Sequence, residues 1–93
     1  MTPEARKFAS EDAKHLLDNK LFKAAFTGVS EYLEAQALGC SPDDAAKAQR
    51  IVIAKQILAG IKREIERVVE DGVVAEIQLN EIEQKKKLFK FYR

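Results

Sequence analysis

The sequence has little of what active sites and metal centres are usually built from. It contains one histidine, one cysteine and no tryptophan among its 93 residues. Cys40 has no second cysteine to pair with, and a Cys40–His15 nucleophilic pair would still need a third group to orient it. No Cys and His residues have zinc-site spacing, and the glycines form no phosphate-binding loop. The sequence therefore predicts a protein that is not an enzyme and has no catalytic residues, cofactor or metal.

Prolines, glycines and long apolar runs are also scarce. Only two prolines and four glycines interrupt the chain. No stretch approaches the roughly 18 uncharged apolar residues of a membrane span. The opening residues, MTPEARKFASEDAKH, lack the apolar run of a secretory signal. With its unpaired cysteine, the chain is expected to be reduced and cytoplasmic.

The composition indicates a folded helical protein rather than a disordered one, since 46% of the residues are apolar and 33% are charged. The positive charge is concentrated at one end. Five of the sixteen basic residues lie in residues 85–93, which leaves eleven basic against fifteen acidic residues, a net charge of −4, in residues 1–84. We therefore expect a single helical domain over residues 1–84, followed by a basic-aromatic tail over residues 85–93.

Two helices are predicted in the first forty residues. Thr2-Pro3-Glu4 has a hydroxyl cap, a proline at the first helical position and an acid in the first turn, so a helix is expected from there to about Leu17. Asn19 is the expected cap of a second helix over residues 20–38. Gly39 then ends that helix at a position that favours a left-handed residue.

The segment GCSPDDAAKAQR carries the strongest local signal. Ser41 has the position of a helix cap, Pro42 follows at the first helical position, and Asp44 lies three residues after Ser41, as in a capping box. The third helix is expected from Pro42 to about Asp71. Because the connection is so short, the second and third helices are predicted to form an antiparallel hairpin.

The apolar spacing of the two hairpin helices predicts the core, in steps of three and four residues. The expected core residues are Phe22, Phe26, Val29, Leu33, Ile51, Leu58, Ile61 and Ile65. Asp71-Gly72 is a second helix-stop signal, and residues 73–84 are expected to form a short separate helix. The predicted fold class is thus all-α: an antiparallel helical hairpin with a short N-terminal helix, a short C-terminal helix and the basic-aromatic tail.

The third predicted helix is longer than the second by roughly ten residues, each of which adds about 1.5 Å of helix length. Its last apolar residues, Ile65, Val68 and Val69, therefore need another cover, either from the first helix or from a second copy of the chain. Gly28 and Gly60 lie inside helices, where glycine is costly. Either they mark a close approach across a subunit interface or the cost is simply tolerated. These five residues are the candidate oligomer interface, and a homo-oligomer, most simply a two-fold dimer, is expected.

The last ten residues, QKKKLFKFYR, are the candidate partner-binding segment. The segment contains apolar and aromatic side chains of the kind that contribute most of the binding energy at interfaces. Its cations suit an acidic surface on the partner. The residues are Lys85, Lys86, Lys87, Leu88, Phe89, Lys90, Phe91, Tyr92 and Arg93. Nucleic-acid binding, a membrane surface and a disordered end are the other interpretations. Docking on protein is preferred, because the acidic body opposes nucleic acid and a membrane would require a second anchor.

The order of LLDNKLFKAAFTGVSEYLEAQ, SPDDAAKAQR and ILAGIKREIERVVEDG, with AEIQL following, resembles a group of small helical-hairpin proteins encoded by tailed bacteriophages. The resemblance implies a phage setting, in the host cytoplasm or in association with the virion. Three hypotheses follow. The chain is a self-associating adaptor in virion assembly or DNA packaging, binding itself and another phage or host protein. Alternatively it inhibits host defence, by blocking a host protein or sequestering a small signalling nucleotide, or it is a nucleic-acid-binding accessory protein.

Overall fold

A computed structural model describes the backbone of residues 1–91 and the side chains of residues 1–88. Three helices are present in this part of the chain: α1 over Pro3–Asp18, α2 over Lys20–Leu38 and α3 over Ala45–Phe91. Residues 1–91 contain no strand, which confirms the all-α prediction for them. The chain divides into two units, one of Leu16–Glu64 and one of Met1–His15 with Ile65–Arg93.

The predicted caps of α1 and α2 are present. The Thr2 hydroxyl accepts a hydrogen bond from the Ala5 amide at 3.2 Å, and the Asn19 side chain accepts one from the Phe22 amide at 2.9 Å. Gly39 is the C-cap of α2, as predicted, but its φ is −85°. The left-handed conformation expected there is therefore not used.

The predicted start of α3 is wrong by three residues. The helix begins at Ala45, and Asp44 rather than Ser41 caps it, since the Asp44 carboxylate accepts a hydrogen bond from the Lys47 amide at 3.0 Å. Ser41 and Pro42 instead belong to a turn, in which the Asp44 amide donates to the Ser41 carbonyl at 3.0 Å. Aspartate caps a helix about as well as serine, and proline suits the second position of a turn, so both arrangements satisfy the same residues.

The predicted helix stop at Asp71-Gly72 is also wrong. α3 continues through Gly72 to Phe91, so residues 73–84 are part of it rather than a separate helix. Gly72 is buried, and a Cβ placed on it would overlap the Cβ and Oγ of Ser10. This glycine permits α1 to approach the backbone of α3 closely, and it does not end the helix.

Small side chains form the centre of the unit that contains α1. Ser10 and Ala13 of α1 are buried there, as is Ala75 of α3. The Ser10 hydroxyl also donates a hydrogen bond to the Val69 carbonyl at 3.1 Å. Small side chains allow two helices to approach closely, so this contact gains dispersion energy from backbone as well as side-chain atoms.

An arginine fixes the register of the same two helices. The Arg6 guanidinium donates to both carboxylate oxygens of Asp71, at 3.1 and 3.0 Å, and to the Gln78 side chain at 2.9 Å. This fork geometry specifies position as well as attraction. The hydrogen bond from Arg6 lowers the pKa of Asp71 below its ordinary value of 3.8.

In the unit of Leu16–Glu64, α2 packs on the first part of α3. Glu34 and Lys55 form an ion pair between them, and Ile51 is buried. The core prediction is wrong for Val29 and Ile61, because the exposed fractions of these residues are 48% and 49%. Two helices cover only one side of each other, so the edges of a wide apolar stripe remain outside. The other predicted core residues of this unit are half-buried, namely Phe22, Phe26, Leu33 and Leu58, and Ile65 is half-buried in the other unit.

Candidate interaction surfaces

One side of the α2–α3 pair carries a groove with a volume of about 400 Å³. We call it the Tyr32 groove. Its polar lining residues include Tyr32 and Gln36 from α2 and Lys47 and Arg50 from α3. An aromatic ring, an amide, two cations and the carboxylate of Asp44 thus surround one open cavity, which lies within the size range of small-molecule sites.

A second groove, of about 250 Å³, is lined by a different set of side chains. We call it the Lys62 groove. Phe26 and Ser30 contribute to it from α2, and Lys55, Leu58 and Lys62 contribute from α3. Lys62 makes it basic as well, whereas Lys55 is paired with Glu34, and it has no aromatic hydroxyl or guanidinium group.

The lining of the two grooves indicates which parts of the helices lie side by side. Gln36, late in α2, shares a groove with Lys47, early in α3. Phe26, earlier in α2, shares a groove with Leu58 and Lys62, later in α3. The first groove therefore joins the end of α2 to the start of α3, and the second joins an earlier part of α2 to a later part of α3.

The residues predicted as an oligomer interface are divided between the two units. A Cβ on Gly28 would have no atom within 4 Å, and a Cβ on Gly60 would meet only Arg63 Nη2, at 4.0 Å. Neither glycine thus packs against another element of the single chain. Ile65, Val68 and Val69 belong to the other unit and are half-buried there, where Ser10 of the first helix already bonds to the Val69 carbonyl.

The predicted oligomer interface did not include the exposed isoleucines of α3. Ile53 and Ile57 are exposed, as is Ile61, which had been placed in the core. The signal was present, because these residues repeat every four positions and so lie along one side of a helix. The sequence also indicates that Ile53 and Ile57 widen the apolar stripe of this helix beyond what one partner helix covers.

Residues 85–91 of the candidate partner-binding segment belong to α3. Lys85, Lys86, Lys87 and Leu88 are exposed on it. Three consecutive residues of an α-helix spread over about 200° of its circumference, so these lysines point in different directions. The side chains of Phe89, Lys90 and Phe91, and the whole of Tyr92 and Arg93, lie outside the described residues.

Residues with chemical reactivity are dispersed in the described part of the chain. It contains no group of three or more His, Cys, Asp or Glu side chains that could hold a metal ion. Cys40 is half-buried, with its Sγ 3.6 Å from the Ser41 carbonyl, and His15 is exposed. No helix among these residues has an apolar stretch long enough to cross a membrane.

No family model, curated protein or solved structure matches this chain. Its function must therefore be inferred from its own surfaces. These are the apolar side and grooves of the α2–α3 pair and the basic end of α3.

Proposed function

We propose that this chain is a non-enzymatic, self-associating helical protein that acts by binding protein, as an adaptor in the virion assembly or DNA packaging of a tailed phage. α2 and the first part of α3 form an antiparallel helical hairpin in this proposal. The opposite numbering of the helices along the Tyr32 and Lys62 grooves supports that arrangement. The phage setting comes from the sequence resemblance, and self-association comes from the exposed surface.

The exposure of apolar side chains is the observation that carries the proposal. Among residues 1–88, the buried hydrophobic residues are Ala13, Ile51 and Ala75, whereas sixteen large hydrophobic side chains are exposed. Single exposed hydrophobic residues are ordinary, but contiguous apolar surface marks a site of association. Burying these side chains against another chain would supply the core that one chain lacks.

The basic end of α3 is the proposed contact for the second partner, another phage or host protein. Leu88 and the lysines at 85–87 are exposed, and the body of residues 1–84 is acidic. Phe89 and Phe91 are the proposed anchors, because aromatic residues contribute most of the energy of many interfaces. The lysines add attraction to an acidic surface and speed the encounter.

A second candidate function, sequestration of a small nucleotide by an inhibitor of host defence, is favoured by the Tyr32 groove. Tyr32 offers a ring on which a base can stack, and Lys47 and Arg50 offer positive charge for phosphate. Titration calorimetry with a panel of mono- and dinucleotides tests this function. Micromolar binding that Arg50→Ala abolishes and Lys62→Ala spares would support it, and the absence of binding would remove it.

Deletion of the gene from the phage that encodes it separates the two functions. The assembly function predicts fewer DNA-filled particles on every host strain, seen by electron microscopy of lysates. The defence function predicts normal particles, with loss of growth only on hosts that carry the relevant defence. A phage that grows and assembles normally on all of these hosts would contradict both.

A further inference from the structure

We propose that two copies of this chain pack antiparallel on the side of the α2–α3 pair that carries the Tyr32 groove, with the two-fold axis at Ile57. This inference rests on the proposed self-association and specifies where it occurs. The second copy presents the same surface. A residue on the two-fold axis therefore meets the same residue of the other copy, and every other contact between two different residues occurs twice.

The centre of the surface is a stripe on α3. Ile53, Ile57 and Ile61 follow one another at intervals of four, and all three are exposed, Ile57 to 60%. Gly60 lies in the same stripe, and nothing outside its own helix approaches the place of its Cβ. A helix of the second copy can therefore lie close to the α3 backbone here.

A matching stripe runs along α2. Leu21, Val29 and Tyr32 are exposed, and Ala25 and Gly28 fill the positions between them. On a helix of 3.6 residues per turn, these five residues lie within about 100° of one another. At the same rotation per residue, the charged residues of α2 lie outside this arc of the helix. They are Lys20, Lys23, Glu31 and Glu34.

The two stripes lie on the same side of the helix pair. Tyr32 belongs to the α2 stripe and lines the groove that also contains Arg50 and Ala54. Ile53 and Ile57 lie three residues after Arg50 and Ala54, respectively, and so follow the same side of α3. The Tyr32 groove is thus bordered by apolar side chains from both helices, and together they form one continuous surface.

The charges at the ends of the α3 stripe favour a second copy over an unrelated partner. Arg50 lies seven residues before Ile57 and Glu64 lies seven residues after it, on the same side of the helix. When two such stripes cross antiparallel about Ile57, Arg50 of each copy meets Glu64 of the other. The surface is thus self-complementary in charge as well as apolar at its centre.

Ile57→Glu tests the surface, with Val52→Glu as its matched control. Both are exposed aliphatic residues of α3, to 60% and 52%, but Val52 lines a different cavity, with Ala37 and Cys40. Light scattering coupled to size exclusion, with circular dichroism to verify helix content, gives the association constant. We expect Ile57→Glu to weaken association at least about thirtyfold, as for a central interface residue, and Val52→Glu to leave it within about threefold.

A charge exchange tests the antiparallel arrangement itself. Arg50→Glu should weaken association, because it opposes two carboxylates, and Arg50→Glu combined with Glu64→Arg should restore it. A double variant as weak as the single one would contradict the pairing. An oligomer that Ile57→Glu leaves unaffected would overturn the proposed surface but leave self-association intact. The same holds for an oligomer that Ile57→Glu and Val52→Glu dissociate to the same extent. A wild-type monomer would instead overturn the proposed function.

Thiol labelling provides a readout that does not depend on a disruptive variant. In a Cys40→Ser background, Tyr32→Cys places a thiol on the proposed surface, and Ala59→Cys places one beside the Lys62 groove. We expect the labelling rate of Tyr32→Cys to fall as the protein concentration rises, while that of Ala59→Cys stays constant. Concentration-independent labelling at Tyr32→Cys in an oligomeric sample would overturn the inference.

Discussion

Gly72→Ala should destabilise the protein, although alanine is the better helix former. Gly72 lies inside α3 and is buried against α1. A Cβ there would overlap two side-chain atoms of Ser10 and approach the Ser10 Cα to 3.5 Å. Because Cβ and Cα belong to the rigid part of a residue, no change of rotamer relieves the overlap, and α1 has to move away.

The magnitude follows from three contributions. Alanine stabilises a helix interior by up to about 1 kcal/mol relative to glycine. Overpacking of a close contact costs about 1–3 kcal/mol. Displacement of α1 also loses the hydrogen bond from Ser10 to the Val69 carbonyl, which contributes about 1 kcal/mol. The expected net loss in the free energy of unfolding is therefore roughly 1–3 kcal/mol.

Urea unfolding followed by circular dichroism measures this loss, at one fixed protein concentration because association changes apparent stability. Combining Gly72→Ala with Ser10→Gly removes the Ser10 side chain that the new methyl would overlap. That double variant should be at least as stable as Ser10→Gly alone. If Gly72→Ala by itself leaves stability unchanged or raises it, α1 does not pack closely on α3 at Gly72.

Three other predictions concern the acidic end of the pH range, the basic end of α3 and the core. Because the pKa of Asp71 is lowered in the folded state, its stabilising effect should be complete above pH 3.8 and be lost as the pH falls through the lowered value. Asp71→Asn should therefore make the free energy of unfolding depend less on pH in the acid range. An unchanged pH dependence would contradict the role of Arg6. Phe89→Ala with Phe91→Ala should weaken binding to a partner more than alanine at all three lysines 85–87 does; steeply salt-dependent DNA binding that is lost only in the lysine variant would favour the nucleic-acid function instead. Leu58→Ala should cost less than the roughly 2–5 kcal/mol of a fully buried leucine, since Leu58 is half-buried, but a loss below about 0.5 kcal/mol in urea unfolding would place it outside the core.

Local signals in the sequence were sufficient where they depended on neighbouring residues only. Thr2 and Asn19 cap their helices because a side-chain oxygen reaches an amide three residues away, and no distant contact is needed. The end of α2 at Gly39 is likewise local. For this reason the bounds of α1 and α2 could be predicted closely.

The signals that failed depended on distant parts of the chain. Asp71-Gly72 resembles a helix stop, but Arg6 and Ser10, more than sixty residues away, use both residues as packing and hydrogen-bonding sites. Val29 was placed in the core because periodicity shows that a side is apolar but not what covers it. The same limit applies to the exposed isoleucines of α3, whose proposed cover is another molecule.

Sedimentation equilibrium of the full chain at micromolar concentration tests self-association most directly. We expect a mass that is a multiple of 10.5 kDa and that falls on dilution toward that of a single chain. A mass of 10.5 kDa at every concentration would contradict it, and the exposed apolar surface would then require a partner other than a second copy of this chain.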